Sequence, residues 1–208
     1  MRRDSHVGCS QGIPRGRVPA NRSVLPWLTT FVIVGILFGV SGVSAQKSKP
    51  QEYEVKATYL YNFARFVEWP LSSTAAKSNS FAICVLGQDP FGPALDAIVA
   101  GESIDGKAVL AKRVSKPQDA VSCRVLYISS SEDSRLKEVL AALDKSGVLT
   151  VSDNPQFSRR GGMIQFVLDG NSVRFEVNLT AAESAGLTLS SELLKVAVTV
   201  RRNSQSGD

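Results

Sequence analysis

Histidine is nearly absent from this chain of 208 residues, which contains only His6. Residues 46–208 contain none. That absence excludes Ser-His-Asp and Cys-His catalysis, HExxH zinc sites and His-ligated metal centres from this part of the chain. We therefore predict no catalytic residues and no metal ligands in this part of the chain, and we predict no cofactor. A hydrolase that works with carboxylates alone is the remaining enzymatic alternative.

An excess of positive charge is also absent outside the N-terminus. The formal net charge is +5, but residues 1–45 contain five arginines and a single acid, Asp4. Residues 46–208 carry 19 basic and 18 acidic side chains. Because a nearly neutral domain has no electrostatic footprint for a polyphosphate, we expect no nucleic-acid partner.

The N-terminus has the form of a secretory signal. Arginines precede an apolar run over residues 28–40, and Val43-Ser44-Ala45 places small residues at the −3 and −1 positions of a cleavage site. This pattern predicts a signal peptide over residues 1–45, cleavage between Ala45 and Gln46, and an exported protein. An uncleaved membrane anchor is the alternative, because the 21 residues from Leu25 to Ala45 are just long enough to span a bilayer.

Cysteine is scarce as well, since only Cys84 and Cys123 lie beyond the predicted signal peptide. Each stands in an apolar, strand-like run. Two cysteines in an exported chain most simply form one structural disulfide, which here would close a loop of about 40 residues. A redox-active pair is the alternative, although the sequence has no CxxC spacing to favour it.

Apolar periodicity predicts an α/β fold. An amphipathic helix from Glu52 to Trp69 is ended by Pro70. Further along, buried strands alternate with helices, which indicates a mostly parallel sheet flanked by helices. The predicted strands are Phe81–Gly87, Ile104–Val114, Cys123–Ser129 and Val148–Ser152, and the predicted helices are Asp89–Ala100 and Asp133–Ser146.

The C-terminal part has a different pattern. Two strands, Met163–Leu168 and Ser172–Asn178, flank an Asp-Gly-Asn turn and predict a β-hairpin. A helical region follows, and its last part is the run SSELLKVAVTV that starts at Ser190. The predicted organisation is a signal peptide over residues 1–45, a short linker over 46–51, a single domain over 52–200 and a polar tail over 201–208.

Candidate contact residues stand close to the predicted hairpin. The run Arg159-Arg160-Gly161-Gly162 is typical of a flexible basic loop and suits a surface contact better than catalysis. Glu176 lies between Phe175 and Val177 in a strand, so its side chain faces opposite to theirs, toward solvent or a pocket. We therefore select Arg159, Arg160 and Glu176 as candidate contacts with a partner or ligand.

A set of motifs recurs along this chain in a familiar order. It includes Lys56-Ala-x-Tyr-Leu-Tyr-Asn-Phe63 with Trp69-Pro70, Ile83-Cys-Val-Leu-Gly87 with Asp89-Pro90-Phe91-Gly92, Cys123-x-Val-Leu-Tyr-Ile128, and Arg174-Phe175-Glu176-Val177-Asn178. Together these motifs resemble the YfiR family of small periplasmic proteins, over about residues 52–200.

The resemblance implies a non-enzymatic regulator. YfiR-like proteins bind the periplasmic sensor domain of a membrane diguanylate cyclase or a related sensor protein and hold it inactive, which lowers cyclic-di-GMP and biofilm formation. The resemblance also implies a homodimer and a disulfide between Cys84 and Cys123. Some members carry a second cysteine pair, but this chain has Ser158 and Gln165 in that region. Glu176 matches a position linked to cell-wall ligand contact.

A small-ligand or cell-wall-binding protein of the envelope is the alternative function. Aromatic side chains that could line its pocket are Tyr59, Tyr61, Trp69 and Phe91.

Overall fold

The computed structural model describes residues 48–202 and opens with helix α1, Lys49–Arg65. The predicted signal peptide, the Ala45–Gln46 cleavage site and most of the linker and tail lie outside the described residues. Leu60 and Phe63, three residues apart on α1, are almost fully buried. The helix ends before Trp69 because strand β1, Val67–Glu68, pairs antiparallel with β9, Thr188–Leu189. The predicted helix end at Trp69 was therefore too late.

An eight-stranded sheet forms the centre of the domain. Its strands, in chain order, are β2 Ser80–Leu86, β3 Ser103–Ile104, β4 Lys107–Val114, β5 Val125–Ile128, β6 Leu149–Ser152, β7 Ile164–Asp169, β8 Ser172–Asn178 and β10 Thr199–Arg201, whereas β1 and β9 form a separate two-stranded sheet. Their spatial order is β10-β8-β7-β6-β5-β2-β4-β3. The four remaining α-helices of residues 48–202 are α2 Pro93–Val99, α3 Leu136–Ala142, α4 Leu179–Ser184 and α5 Ser191–Val196.

The central strands of this sheet are parallel. Strands β4, β2, β5, β6 and β7 run in one direction, whereas β8 is antiparallel to β7 and β10 is parallel to β8. The chain passes from β2 to β4 on one side and then to β5 on the other. The strand order therefore changes direction between β2 and β5. In open α/β sheets, ligands usually bind in the crevice at the carboxyl ends of the strands where the order changes direction.

Helices and turns cover both faces of the sheet. One buried cluster packs α1, α2 and α5 on one face, through residues such as Leu60, Leu95 and Leu193. The other cluster packs α3 and the 3-10 turns on the opposite face, through Leu136 and Phe157. The predicted fold class, a single-domain α/β protein with a mostly parallel sheet and a C-terminal hairpin, is confirmed.

Three predicted elements differ from the observed ones. Helix α2 starts at Pro93 because the Asp89 carboxylate accepts the Phe91 N–H at 2.8 Å and so closes a turn before the helix. The predicted strand Ile104–Val114 is a hairpin of β3 and β4, turning at Asp105-Gly106, where both residues have positive φ. The predicted helix Asp133–Ser146 begins as a 3-10 turn, Ser130–Arg135, and only then becomes α3.

The end of the chain was also predicted wrongly. The predicted helical run from Ser190 stops at Val196, and Thr199–Arg201 pairs with β8 as strand β10. Alternating β-branched residues fit a pleated strand better than a helix, because their side chains are stiff at χ1. Arg201, predicted to start the polar tail, is therefore part of the sheet.

The disulfide joins β2 to the segment that leads into the neighbouring strand β5. Cys84 lies in β2 and Cys123 stands two residues before β5, and their Cα atoms are 6.0 Å apart. Both side chains are completely buried. The predicted pairing of Cys84 with Cys123 is confirmed. From residue 48 to residue 202, no helix combines the length and apolar character needed to cross a bilayer.

Candidate functional site

Glu176 occupies the face of β8 that points away from α1. Its neighbours Phe175 and Val177 are buried on the α1 side, and the pleat places Glu176 opposite to them. The carboxylate accepts a hydrogen bond from the Ser158 hydroxyl at 3.1 Å and another from Arg201 at 3.4 Å. Glu176 is therefore half-buried in a polar cluster. Its side chain was predicted to face either solvent or a pocket, and the observed environment is intermediate between the two.

The turn that carries the two candidate arginines is anchored to this cluster. It is a 3-10 turn, Phe157–Arg160, in which the Ser158 N–H donates to the Gln165 side-chain oxygen at 3.0 Å. The Ser158 hydroxyl shares its one proton between Glu176 and the same Gln165 oxygen, which lies 3.3 Å away. The Asn178 amide donates to the Ser158 carbonyl at 2.9 Å. Gly162 lies so close to the Phe157 ring that a Cβ atom would be 2.1 Å from it. The segment predicted as a flexible loop is therefore a closely packed turn.

The two arginines of this turn have different surroundings. Both are exposed, but Arg160 forms an ion pair with Asp133 and also donates to its carbonyl at 3.1 Å. Among the described residues, Arg159 has no ion pair or side-chain hydrogen bond. Arg174, two residues before Glu176 in β8, is also exposed on the same strand face. We call this surface, made of Arg159, Arg174, Glu176 and Arg201, the outer face.

The outer face is suited to binding rather than catalysis. It presents three guanidinium groups and one carboxylate, and that carboxylate already accepts hydrogen bonds from Ser158 and Arg201. Exposed arginines that lack a partner favour an acidic protein surface, and they act mainly on the rate and specificity of docking. Within residues 48–202, no group of three or more His, Cys, Asp or Glu side chains is arranged to hold a metal ion.

A second polar cluster lies at the carboxyl end of β6, the strand next to β5. Lys56 of α1 is 3% exposed, and its Nζ atom is 2.6 Å from Asp153 Oδ2 and 2.5 Å from Glu52 Oε1. The Tyr53 hydroxyl donates to the same Asp153 oxygen at 2.9 Å. The Lys56 ammonium also lies 4.4 Å from the centre of the Tyr53 ring. We call these residues the Lys56 cluster.

The protonation behaviour of this cluster follows from its burial and its charges. Burial alone would raise the pKa of the Asp153 carboxyl, but the hydrogen bond and charge of Lys56, with the hydroxyls of Tyr127 and Tyr53, outweigh it and hold that pKa below its usual value. Burial, followed by the charge of Asp153, raises the pKa of Tyr53 and that of Tyr127. At neutral pH the cluster therefore holds an ionised carboxylate between two neutral phenols.

The lowered pKa of Asp153 predicts a loss of stability in acid. Its pKa in the folded protein lies below the unfolded value of about 3.9, so the stabilisation is complete at neutral pH and is lost as the pH falls through that region. We expect the free energy of unfolding, measured in urea between pH 7 and pH 3, to fall below about pH 5. Asp153→Asn should flatten this fall, whereas Asp119→Asn at an exposed position should leave it unchanged. An equally steep fall in Asp153→Asn would contradict the assignment.

The Lys56 cluster was missed by the sequence-based prediction. No contact role was predicted for Asp153, and Lys56 was identified only as a motif residue. One signal was available: Lys56 lies three residues after Tyr53 and four before Leu60, on the apolar side of α1. A charged residue on a buried helix face requires a partner.

The four aromatic residues proposed for a ligand pocket are dispersed. Phe91 is buried in the core, and the Tyr61 hydroxyl donates to the exposed Glu102 carboxylate at 2.5 Å. Trp69 and Tyr59 line two separate cavities, of about 360 and 500 Å³. The larger cavity, which we call the α1–α5 groove, is also lined by Asn62, Phe63, Arg65, Phe66, Phe175, Glu192, Leu193 and Val196.

Solved structures resemble this chain only distantly. An ABC domain from Streptococcus pneumonia, crystallised in complex with L-Trp, is 13% identical, with a TM-score of 0.48 over 70% of this chain. A conserved domain protein from Vibrio cholerae O1 biovar eltor is 14% identical, with a TM-score of 0.48 over 74% of this chain. The chain spans 60% of the length of each of these proteins.

Comparison of sequences gives a clearer result. No curated protein sequence matches the chain. A family model described as YfiR/HmsC-like matches residues 53–198, which is nearly all of the part that the structure describes.

Proposed function

Because the chain belongs to the YfiR/HmsC-like family, we propose that it is a periplasmic, non-enzymatic regulator that binds the periplasmic sensor domain of a membrane diguanylate cyclase and represses the enzyme. The family match over residues 53–198 is the observation that carries this proposal. The outer face supports it, since exposed arginines on an anchored turn and strand form a preorganised docking surface. Export with cleavage after Ala45 is part of the proposal.

The function can be tested by deleting the gene and measuring cellular cyclic-di-GMP. We expect the messenger to rise on deletion and to return to its original level when the wild-type protein is restored. An unchanged level, in cells that normally produce the protein, would contradict cyclase repression and favour the alternative of envelope ligand binding.

Arg159→Glu tests whether the outer face docks the partner. Arg159 has no partner among the described residues, so the reversal should change stability by no more than about 0.5 kcal/mol while weakening repression. Lys112→Glu is the matched control, because Lys112 is exposed on β4 near the opposite edge of the sheet. Arg160→Glu is a poorer test, since it also breaks the ion pair with Asp133.

We expect Lys112→Glu to restore low cyclic-di-GMP in the deletion strain and Arg159→Glu to restore it only in part. Both variants should show the wild-type urea midpoint. Full repression by a folded Arg159→Glu protein would remove Arg159 from the docking surface and leave the proposed function intact.

A further inference from the structure

Strand β10 leaves one edge of the sheet open. It pairs with β8 on one side, and no strand of the described residues pairs with its other side. Edge strands present unpaired N–H and C=O groups that another strand can bind. Val198 and Val200 on this edge are 42% and 39% exposed. The edge thus combines free main-chain groups with exposed apolar side chains.

The apolar surface of this edge continues into the α1–α5 groove. The Val198 N–H donates to the carbonyl of Phe175, whose side chain lines the groove. Val196 and Phe66 stand at the same groove and are 58% and 42% exposed. Val196, Val198 and Val200, each two residues apart in sequence, lead from the groove to the edge; with Phe66 we call them the apolar strip, and exposed apolar patches mark interaction sites on soluble proteins. A strand added to β10 could place alternate side chains along this strip.

The charge of the edge selects the kind of strand that can bind. The segment Lys195–Arg202 has three cations, Lys195, Arg201 and Arg202, and no acid. Two copies of β10 paired with each other would bring these cations together, and like charges on facing strands destabilise a sheet. Only Arg201 is partly neutralised, by Glu176 at 3.4 Å. A segment with acidic flanks therefore fits this edge better than a second copy of the chain.

We infer that β10 and the α1–α5 groove receive an extended segment of the partner protein, which adds to the sheet as a further strand. The segment has alternating apolar residues for the strip and acidic residues at its ends for Lys195 and Arg202. This inference rests on the proposed function, because the partner is the periplasmic domain of the repressed cyclase. Main-chain hydrogen bonds supply the affinity of such strand addition, and the side chains supply its specificity.

Photo-crosslinking in living cells tests this surface. The crosslinking residue p-benzoylphenylalanine is placed at Val198 or at Val200, and at Leu110, which is 44% exposed on β4, as the control. Only variants that still lower cyclic-di-GMP in the deletion strain are irradiated. We expect Val198 or Val200 to crosslink to a membrane diguanylate cyclase, and mass spectrometry should map the crosslink to an apolar segment with acidic flanks. Leu110 should give no such product.

Charge reversal supplies a second measurement. Combining Lys195→Glu with Arg202→Glu should lower the yield of the Val200 crosslink by about fivefold or more, because the acidic flanks are then repelled. Lys112→Glu should leave the yield unchanged. An unchanged yield in the double reversal would overturn the charge argument, and a crosslink to a second copy of this chain would overturn the choice of partner.

The outcomes separate this inference from the proposed function. If deletion raises cyclic-di-GMP but neither Val198 nor Val200 crosslinks to the cyclase, the strand-addition surface is wrong while the function stands. If deletion leaves cyclic-di-GMP unchanged, the proposed function fails and the cyclase is excluded as the occupant of the edge.

Discussion

Loss of the Cys84–Cys123 cross-link is expected to lower the free energy of unfolding by about 4 kcal/mol. The two cysteines are 39 residues apart in sequence, and a bond that closes a loop of this length removes conformational entropy from the unfolded chain. Cys84→Ala combined with Cys123→Ala is the variant of choice, since both positions are completely buried and a serine hydroxyl would be left without a partner. Urea unfolding at neutral pH measures the change.

The wild-type protein unfolded with a reducing agent is the matched control for lost packing. It keeps both sulfur atoms but not the bond, so its stability should agree with that of the double alanine variant to within about 1 kcal/mol. The dependence of the unfolding free energy on urea should become steeper in both, because an uncrosslinked chain exposes more surface when it unfolds. A loss below about 1 kcal/mol in both samples would show that the bond does not stabilise this fold.

Replacement of Lys56 by methionine is expected to cost about 3 kcal/mol of stability. Lys56→Met keeps the volume of the side chain but leaves the carboxylates of Asp153 and Glu52 without their shared cation. The Asp153 side chain is only 15% exposed, so water cannot replace the ammonium group fully. Chemical denaturation gives the magnitude, and Lys112→Met at an exposed position is the control for the loss of a lysine.

A double-mutant cycle identifies the source of that cost. Asp153→Asn removes the charge that Lys56 neutralises, so the combination of Lys56→Met with Asp153→Asn should be more stable than Lys56→Met alone. If the changes in unfolding free energy of the two single variants add without coupling, the cost of Lys56→Met comes from lost packing and the ion pair contributes little. Coupling of about 1 kcal/mol or more would support the pair as the source.

Local patterns in the sequence were sufficient for most of the core of this fold. The buried strands around Ile83, Leu126 and Val151 are continuous apolar runs, and parallel strands covered on both faces require such runs. The Gly170 turn and its flanking alternation identified the β7–β8 hairpin correctly. These features depend on neighbours in sequence, which is why they could be predicted.

The errors arose where distant residues decide the structure. Val67 was assigned to the helix because its spacing is helical, but Leu189 pairs with it as a strand. The Thr199–Arg201 segment was assigned to a helix, but it pairs with β8. Tertiary pairing overrides local propensity in both cases. Of the three selected contact residues, Arg159 and Glu176 belong to the outer face, whereas Arg160 forms an ion pair with Asp133, which is distant in sequence.

The N-terminal position of α1 has a consequence for how the chain folds as it is made. Synthesis delivers the N-terminus first, whereas Tyr53 and Lys56 contact Asp153 across 100 and 97 residues, and Tyr59 donates to the Val173 carbonyl across 114. Contacts between residues so far apart in sequence form late in folding. The chain between them must first lose conformational entropy, and only then does the contact stabilise the fold. The apolar face of α1 therefore stays uncovered until β6 and β8 have been synthesised.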